Sequence, residues 1–141
     1  MGGDLTGGGN GTTNVESSVA PLVGDVDVYQ ANHHGSRTSS NSTWISYLKP
    51  EFTVLPCGSN NPYGYPTQEV IDRINTATSM TPVWCPTDGT GAEGYVDAEG
   101  TIHLTTDGNT YTVRAEDDTS FTAYVDEYSS AAPNAGDVVV P

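Results

Sequence analysis

The sequence is poor in positively charged side chains, and this shortage limits the partners it can be expected to bind. Lysine and arginine together number four against 18 aspartate and glutamate residues, which gives a net charge of −14. Such a surface repels phosphate backbones, so charge alone does not predict a nucleic-acid partner. An acidic, lysine-poor surface is typical of salt-adapted or extracellular proteins, and it also simply favours solubility. We therefore expect an extracellular or cell-surface location.

Long apolar runs are also missing. No stretch is apolar over the length that a bilayer-spanning helix needs, and the first residues have neither the basic region nor the apolar segment of a signal peptide. The sequence thus predicts no membrane partner, although export stays open. Its 141 residues suffice for one domain with a core of its own.

Cysteine is scarce as well, since Cys57 and Cys85 are the two in the chain. They allow a single pairing and follow two predicted neighbouring strands, which makes a disulfide geometrically feasible. The alternative is two small buried residues. Neither has the Cys-x-x-Cys spacing of a zinc knuckle.

What is present is an alternation of strand and helix patterns, followed by hairpin patterns. Strands are predicted at 25–32, 52–57 and 81–86, and helices at 15–23, after a cap at Ser39 or Ser42, and at 67–76. This order predicts a parallel β-α-β-α-β sheet in an α/β fold. Alternating runs at 94–97, 100–105, 110–115 and 120–128 then predict an antiparallel β-meander.

The ends of the chain differ in composition from this domain. Residues 1–14 are rich in glycine, threonine and asparagine and form a predicted flexible leader. Residues 15–128 form the predicted domain, and residues 129–141 a predicted tail.

The most informative stretch is the end of the first predicted parallel strand. Two adjacent histidines, His33 and His34, are followed by Gly35-Ser36-Arg37-Thr38-Ser39-Ser40. A strand end fixes the backbone, and a glycine lets the next turn approach a ligand closely, so this stretch is a candidate site.

A strand ending in His-His-Gly-Ser, then a helix, a second strand and Asn61-x-Tyr63-Gly64, resembles the C-terminal half of metallo-β-lactamase-fold hydrolases of the ComEC competence-protein type. The resemblance extends from about Gly2 to Thr106. It implies half of an αββα sandwich, with the β-meander attached to its C-terminal side.

The resemblance also implies roles for individual residues. Gly3-Asp4 lies 29 residues before His33, where the family has the carboxylate that bridges or caps its metals. Asp4 and His34 would be metal ligands in a site for two divalent ions, zinc or manganese, and His33 would contact a substrate oxygen.

Four further residues complete the predicted site. Ser36 and Arg37 would hold an anionic group, with Arg37 among the catalytic residues, although an ordinary exposed arginine is the alternative for that position. Asn61 and Tyr63 would bind the substrate, a small anionic ester.

Two departures from the family pattern leave the function open. The His-x-His-x-Asp-His motif that supplies most of the metal ligands does not occur, and Tyr65 and Thr67 stand where the family commonly has histidine. The chain is therefore predicted to be either a portion of a metallo-hydrolase that needs the missing N-terminal half, or a relative that has lost its metals. The latter would be a binding or self-assembly module that pairs with a partner or a second copy. A third interpretation is an acidic secreted α/β domain with an accidental resemblance. In all of these hypotheses, nucleic acid is expected only as a substrate and not as a binding partner.

Overall fold

The computed structural model describes residues 2–77, 82–89 and 92–125. The chain divides into two compact units, Met1–Asp97 and Ala98–Pro141. Among the described residues, no helix combines the length and the apolar character needed to span a bilayer.

The first unit is built on a parallel sheet that has helices between its first three strands. Its elements in chain order are β1 (Gly7–Gly9), β2 (Thr12–Asn14), α1 (Glu16–Val23), β3 (Val28–Gln30), α2 (Ser42–Leu48), β4 (Phe52–Val54), α3 (Gln68–Ala77), β5 (Val83–Cys85) and β6 (Val96–Asp97). The sheet has the order β3-β4-β5-β6, with every neighbouring pair parallel. The predicted parallel α/β sheet is confirmed, whereas the αββα sandwich stays a prediction.

The apolar faces of α2 and α3 supply much of the core. Trp44, Ile45 and Leu48 are buried on α2, and Val70, Ile71 and Ile74 are buried on α3. These are the residues whose spacing of three and four predicts a helix with one buried face.

The cap of α2 differs from the prediction. Neither Ser39 nor Ser42 caps this helix; instead the side chain of Asn41 accepts a hydrogen bond from the amide of Trp44 (2.8 Å). Asparagine is as good an N-cap as serine, and Ser39 uses its hydroxyl on the carbonyls of Asn32 and Ser36.

Residues 7–14 of the glycine-rich leader form the antiparallel β1–β2 hairpin, which composition does not predict. The amide of Gly7 donates to the Thr38 carbonyl (2.6 Å), and a Cβ at Gly7 would overlap the carboxylate of Glu16. Glycine therefore permits a close approach that fixes the hairpin against the unit.

Strand β6 also corrects the prediction, because residues 94–97 were expected to begin the meander. β6 pairs in parallel with β5 instead. The preceding residues are attached to α3 by side-chain hydrogen bonds. Gln68 donates to the carbonyl of Glu93 and accepts from its amide, and Asn75 donates to the carbonyl of Gly94. Tertiary contacts thus decide the pairing, which local alternation cannot.

The second unit contains the antiparallel meander of β7 (His103–Thr106), β8 (Thr110–Arg114) and β9 (Ser120–Tyr124). Asp107 closes the β7–β8 turn by accepting the amides of Asn109 and Thr110, and these bonds lower the pKa of its carboxyl. The predicted meander is confirmed from β7 onward. The end of the last predicted strand and the predicted tail lie outside the described residues.

A buried carboxylate connects α1 to the segment around the histidines. The side chain of Glu16 is fully buried and accepts three hydrogen bonds, from the amide of Ser40 (2.6 Å), the amide of Asn41 (2.7 Å) and the side chain of Asn32 (2.9 Å). It therefore holds the chain on both sides of His33 and His34.

We expect Glu16→Gln to destabilise the protein. The glutamine side chain replaces one carboxylate oxygen with an NH₂ group, which cannot accept a hydrogen bond. At least one of the buried donors that bond to Glu16 then loses its partner, which costs about 1–3 kcal/mol. Urea unfolding measures the loss, and Glu69→Gln on the exposed side of α3 is the control, expected within about 0.5 kcal/mol of the natural protein. Equal stabilities of the two variants would contradict the role of Glu16.

Candidate functional site

The two histidines lie in a strained turn directly after β3. His33 (φ 49°, ψ 42°) and His34 (φ 54°, ψ 26°) both adopt the left-handed conformation, and Gly35 continues it with φ 74°. A left-handed non-glycine residue costs about 1–3 kcal/mol and persists only where its surroundings fix it. Two in succession mark this turn as a candidate functional site.

Gly35 is required for both its conformation and its surroundings. A Cβ at this position would lie 3.0 Å from side-chain atoms of Leu55 and Pro66. Its carbonyl accepts hydrogen bonds from the amide and the hydroxyl of Thr67, each at 3.0 Å. The turn is thus fixed against the segment that precedes α3.

Asp4 lies near the histidines because Gly3, the residue before it, is hydrogen-bonded to His33. The amide of His33 donates to the carbonyl of Gly3 (2.8 Å), which joins chain segments that are 30 residues apart. The Gly3-Asp4 pair therefore lies beside the histidine turn, as the family resemblance implies.

These groups line a cavity of about 470 Å³. It contains five of the predicted site residues and three others: Asp4, His33, His34, Asn61 and Tyr63, with Cys57, Gly58 and Tyr65. The structure thus brings together residues from three separate stretches of the chain.

Ser36 and Arg37 are not among the described residues that line this cavity. Ser36 is buried and its hydroxyl bonds to that of Thr38 (3.0 Å). Arg37 is exposed, and with the Asn10 amide oriented to face it, the Asn10 oxygen accepts from the guanidinium at 3.1 Å. The expected substrate contacts of these two residues are not made through this cavity in the present structure, and their roles stay predictions.

The imidazole of His34 has a defined tautomer. Its Nδ1 lies 2.8 Å from the carbonyl oxygen of Pro56. Because a carbonyl only accepts, Nδ1 carries a proton, and in the neutral ring Nε2 then has the available lone pair. This is the arrangement that orients histidines bound to metals.

His33 has a buried Nδ1 with no hydrogen-bond partner, and its ring meets the Tyr65 ring edge to face (centroids 5.9 Å apart). A buried polar atom without a partner is rare, which sets this ring apart from an ordinary surface histidine.

The described residues match a metal site in donor type but not in number. A carboxylate and an imidazole with a free Nε2 are suitable ligands for zinc or manganese. However, no group of three histidine, cysteine or acidic side chains in the described part of the chain is arranged to hold a metal. A catalytic zinc takes three protein ligands, so these residues do not hold the two predicted ions by themselves.

Cys57 and Cys85 are free thiols, so the feasible disulfide is not formed, and of the alternative of two small buried residues only Cys85 is fully buried. A hydrogen bond from Cys85 lowers the pKa of Cys57, against an opposing effect of burial, whereas the same contact and burial raise the pKa of Cys85. Cys57 lines the cavity and Cys85 is fully buried.

We expect Cys57 to react with iodoacetamide faster than Cys85, because the thiolate is the nucleophile and its fraction at a given pH rises as the pKa falls. Cys85→Ala removes the donor, so the pH midpoint for alkylation of Cys57 should move upward, while Cys85→Ser keeps a donor and should move it less. Mass spectrometry of peptides alkylated between pH 6 and 10 measures both midpoints. A midpoint that is unchanged in Cys85→Ala would contradict the hydrogen bond.

Several residues that shape the site were missed from the sequence. Glu16 has no signal beyond an ordinary helix start, and Arg73, which donates to the carbonyls of Ser39 and Ser40 (2.9 Å each), lies in an ordinary polar helix face. Tyr65 and Cys57 flank the Asn-x-Tyr-Gly motif, and that proximity is the signal that could have identified them.

The fold and the cavity together define a mixed α/β protein with a two-histidine, one-carboxylate pocket at the end of a parallel strand. No family model matches the chain. It is similar to Recombination protein 2 of Haemophilus influenzae, with 33% identity over 60 residues, or 43% of this chain and 8% of that protein.

Two further relatives are similar to part of the chain, and one of them is a competence protein by name. Competence protein ComA of Neisseria gonorrhoeae is 35% identical over 65 residues, covering 45% of this chain and 9% of the relative. ComE operon protein 3 of Bacillus subtilis is 38% identical over 48 residues, covering 34% and 6%. The chain spans less than a tenth of the length of each of these three relatives.

Proposed function

We propose that this chain is the C-terminal portion of a metal-dependent hydrolase of the metallo-β-lactamase superfamily, with a role in competence. Its substrate would be a phosphoester or a related ester. The observation that carries the proposal is the meeting of Asp4, His33 and His34 in one cavity, in a turn whose strain marks a functional site. The similarity to Competence protein ComA supports the biological role.

Within this proposal the chain provides part of the site. Asp4 and His34 would be two of the metal ligands, with His34 binding through Nε2, and His33 would contact a substrate oxygen. The remaining ligands would come from the N-terminal half of the fold. When bound, the metal pair would supply a hydroxide at neutral pH.

The cavity's charge agrees with a metal requirement. No lysine or arginine is among the described residues that line it, while Asp4 adds a negative charge to a protein of net charge −14. An anionic ester would be repelled from such a pocket without a cation.

We expect the chain, purified in complex with its natural N-terminal half, to hold two equivalents of zinc or manganese and to cleave a chromogenic phosphodiester. Asp4→Asn and His34→Ala should each lower the metal content, because each removes a ligand. Inductively coupled plasma mass spectrometry measures the metal. His103→Ala, an exposed position in the second unit, is the control and should retain it. Metal content that is unaffected by both ligand variants would contradict the assignment.

A second candidate function is that of an extracellular binding or self-assembly module. In this case the chain would be a metal-free relative of the hydrolases. The observation in its favour is the lack of a three-ligand group among the described residues. A complex that is stable and folded but contains neither metal nor hydrolytic activity would support this alternative and exclude the first proposal.

A further inference from the structure

The two cysteines of the chain are 28 residues apart in the sequence, yet they meet at one edge of the parallel sheet. Cys85 is the last residue of β5, and Cys57 lies three residues beyond Val54, where β4 ends. These strands are parallel neighbours, so both segments leave the sheet at the same edge. A hydrogen bond from the Cys85 thiol to Cys57 joins the two side chains directly. Contact between the side chains is the first requirement for a disulfide.

Hydrogen bonds hold the two segments together on both sides of the cysteines. The hydroxyl of Thr87 donates to the carbonyl of Cys57 (3.0 Å), and the Cys57 thiol donates to the carbonyl of Thr87 (3.7 Å). On the sheet side, the amide of Leu55 donates to the carbonyl of Trp84 (2.9 Å). The fold therefore limits how far the two thiols can separate.

The two thiols differ in their access to small molecules. Cys57 lines the cavity that contains His33 and His34, whereas Cys85 is fully buried. A volume of about 470 Å³ is within the range of small-molecule sites. Two cysteines that only filled space in the core would both be buried. The arrangement instead makes one thiol available to a reagent and keeps the other behind it.

We propose that Cys57 and Cys85 form a thiol–disulfide exchange site on the wall of this cavity, and that its co-substrate is a low-molecular-weight disulfide. Cys57 is the attacking thiol and Cys85 the resolving thiol. The present structure is the reduced state of the site, with both thiols free. The exchange requires neither a metal nor the proposed hydrolysis.

The exchange takes two steps. The Cys57 thiolate attacks one sulfur of the small disulfide, which forms a mixed disulfide and releases one thiolate. Cys85 then loses its proton and attacks the Cys57 sulfur, which forms the Cys57–Cys85 bond and releases the second thiolate. The two cysteines lose two electrons, the small disulfide gains them, and the two protons of the cysteines end on the two released thiols.

The order of the steps agrees with the electrostatics of the pair. The contact with Cys85 lowers the pKa of Cys57, which favours the nucleophilic thiolate at the accessible position. The hydrogen bond to Cys57 is the largest of the effects that raise the pKa of Cys85. The mixed disulfide ends that bond, so the first step prepares Cys85 for the second.

Dithiodipyridine tests the proposal on the full chain. This disulfide is neutral, so a protein of net charge −14 does not repel it, and the thiopyridone that it releases is measured by its absorbance. We expect each chain to release two thiopyridones and to retain no pyridyl group, because Cys85 displaces the group that Cys57 binds. Intact-mass spectrometry should show the loss of two hydrogens, and peptide mapping without reductant should show the two cysteine peptides linked.

Variants assign the two roles. Cys85→Ser should halve the thiopyridone release and retain one pyridyl group on Cys57, because the resolving thiol is absent. Cys57→Ser keeps only the buried thiol, which should not react in the folded chain during the time that the natural chain needs. Circular dichroism checks that both variants are folded, and the mass of the natural chain decides between linked and independent thiols without any variant.

Two pyridyl groups retained on the natural chain would show independent thiols and overturn the inference. A folded Cys57→Ser variant that reacts as fast as the natural chain, or a Cys85→Ser variant that retains no pyridyl group, would also overturn it. The metal and hydrolysis measurements have separate outcomes. A linked pair in a complex without metal or hydrolysis would support the exchange site and refute the hydrolase, whereas an active metal-containing complex with independent thiols would do the opposite.

Discussion

The Glu16 carboxylate lies out of contact with solvent and accepts hydrogen bonds from Asn32 on one side of the histidine turn and from Ser40 and Asn41 on the other. A buried carboxylate is costly unless its oxygens are paired, and here three donors pair them. Because those donors belong to both ends of the turn, the carboxylate determines the path of the chain between them. The left-handed residues His33 and His34 lie between the two segments that this carboxylate holds.

Other bonds extend this constraint to the rest of the cavity. Arg73 holds the carbonyls of Ser39 and Ser40, and the buried hydroxyl of Tyr29 bonds to Ser40 and to the amide of Asn32. Burial raises the pKa of Tyr29 to about 12, so this hydroxyl stays neutral across the physiological range and accepts the Asn32 amide. The serine-rich segment after the histidines therefore acts as a structural support.

The large features of the fold could be predicted from the sequence because they follow from local patterns. The apolar faces of α2 and α3, the parallel strands and the β7–β9 meander each have a periodicity that determines them. The proximity of Gly3-Asp4 to His33, by contrast, was implied by the family resemblance, and a backbone hydrogen bond from His33 to Gly3 provides it.

What could not be predicted depends on contacts between distant residues. The pairing of β6 follows from side chains of α3, and the order of the β1–β2 hairpin follows from the close approach of Gly7 to Glu16. Ser36 and Arg37 have the residue types of an anion site, yet their polar groups are used on Thr38 and Asn10. Residue type indicates what a side chain is able to bind, whereas tertiary structure decides whether it faces the cavity.

The account as a whole depends on a histidine turn that is held so that His34 keeps the proton on Nδ1 and offers Nε2 as a ligand atom. Long-range proton–nitrogen NMR correlation of the neutral imidazole measures this tautomer directly. We expect the pattern of a protonated Nδ1, since that atom donates to the Pro56 carbonyl at 2.8 Å. A pattern with the proton on Nε2 would show that this bond is absent and would contradict the account of the site.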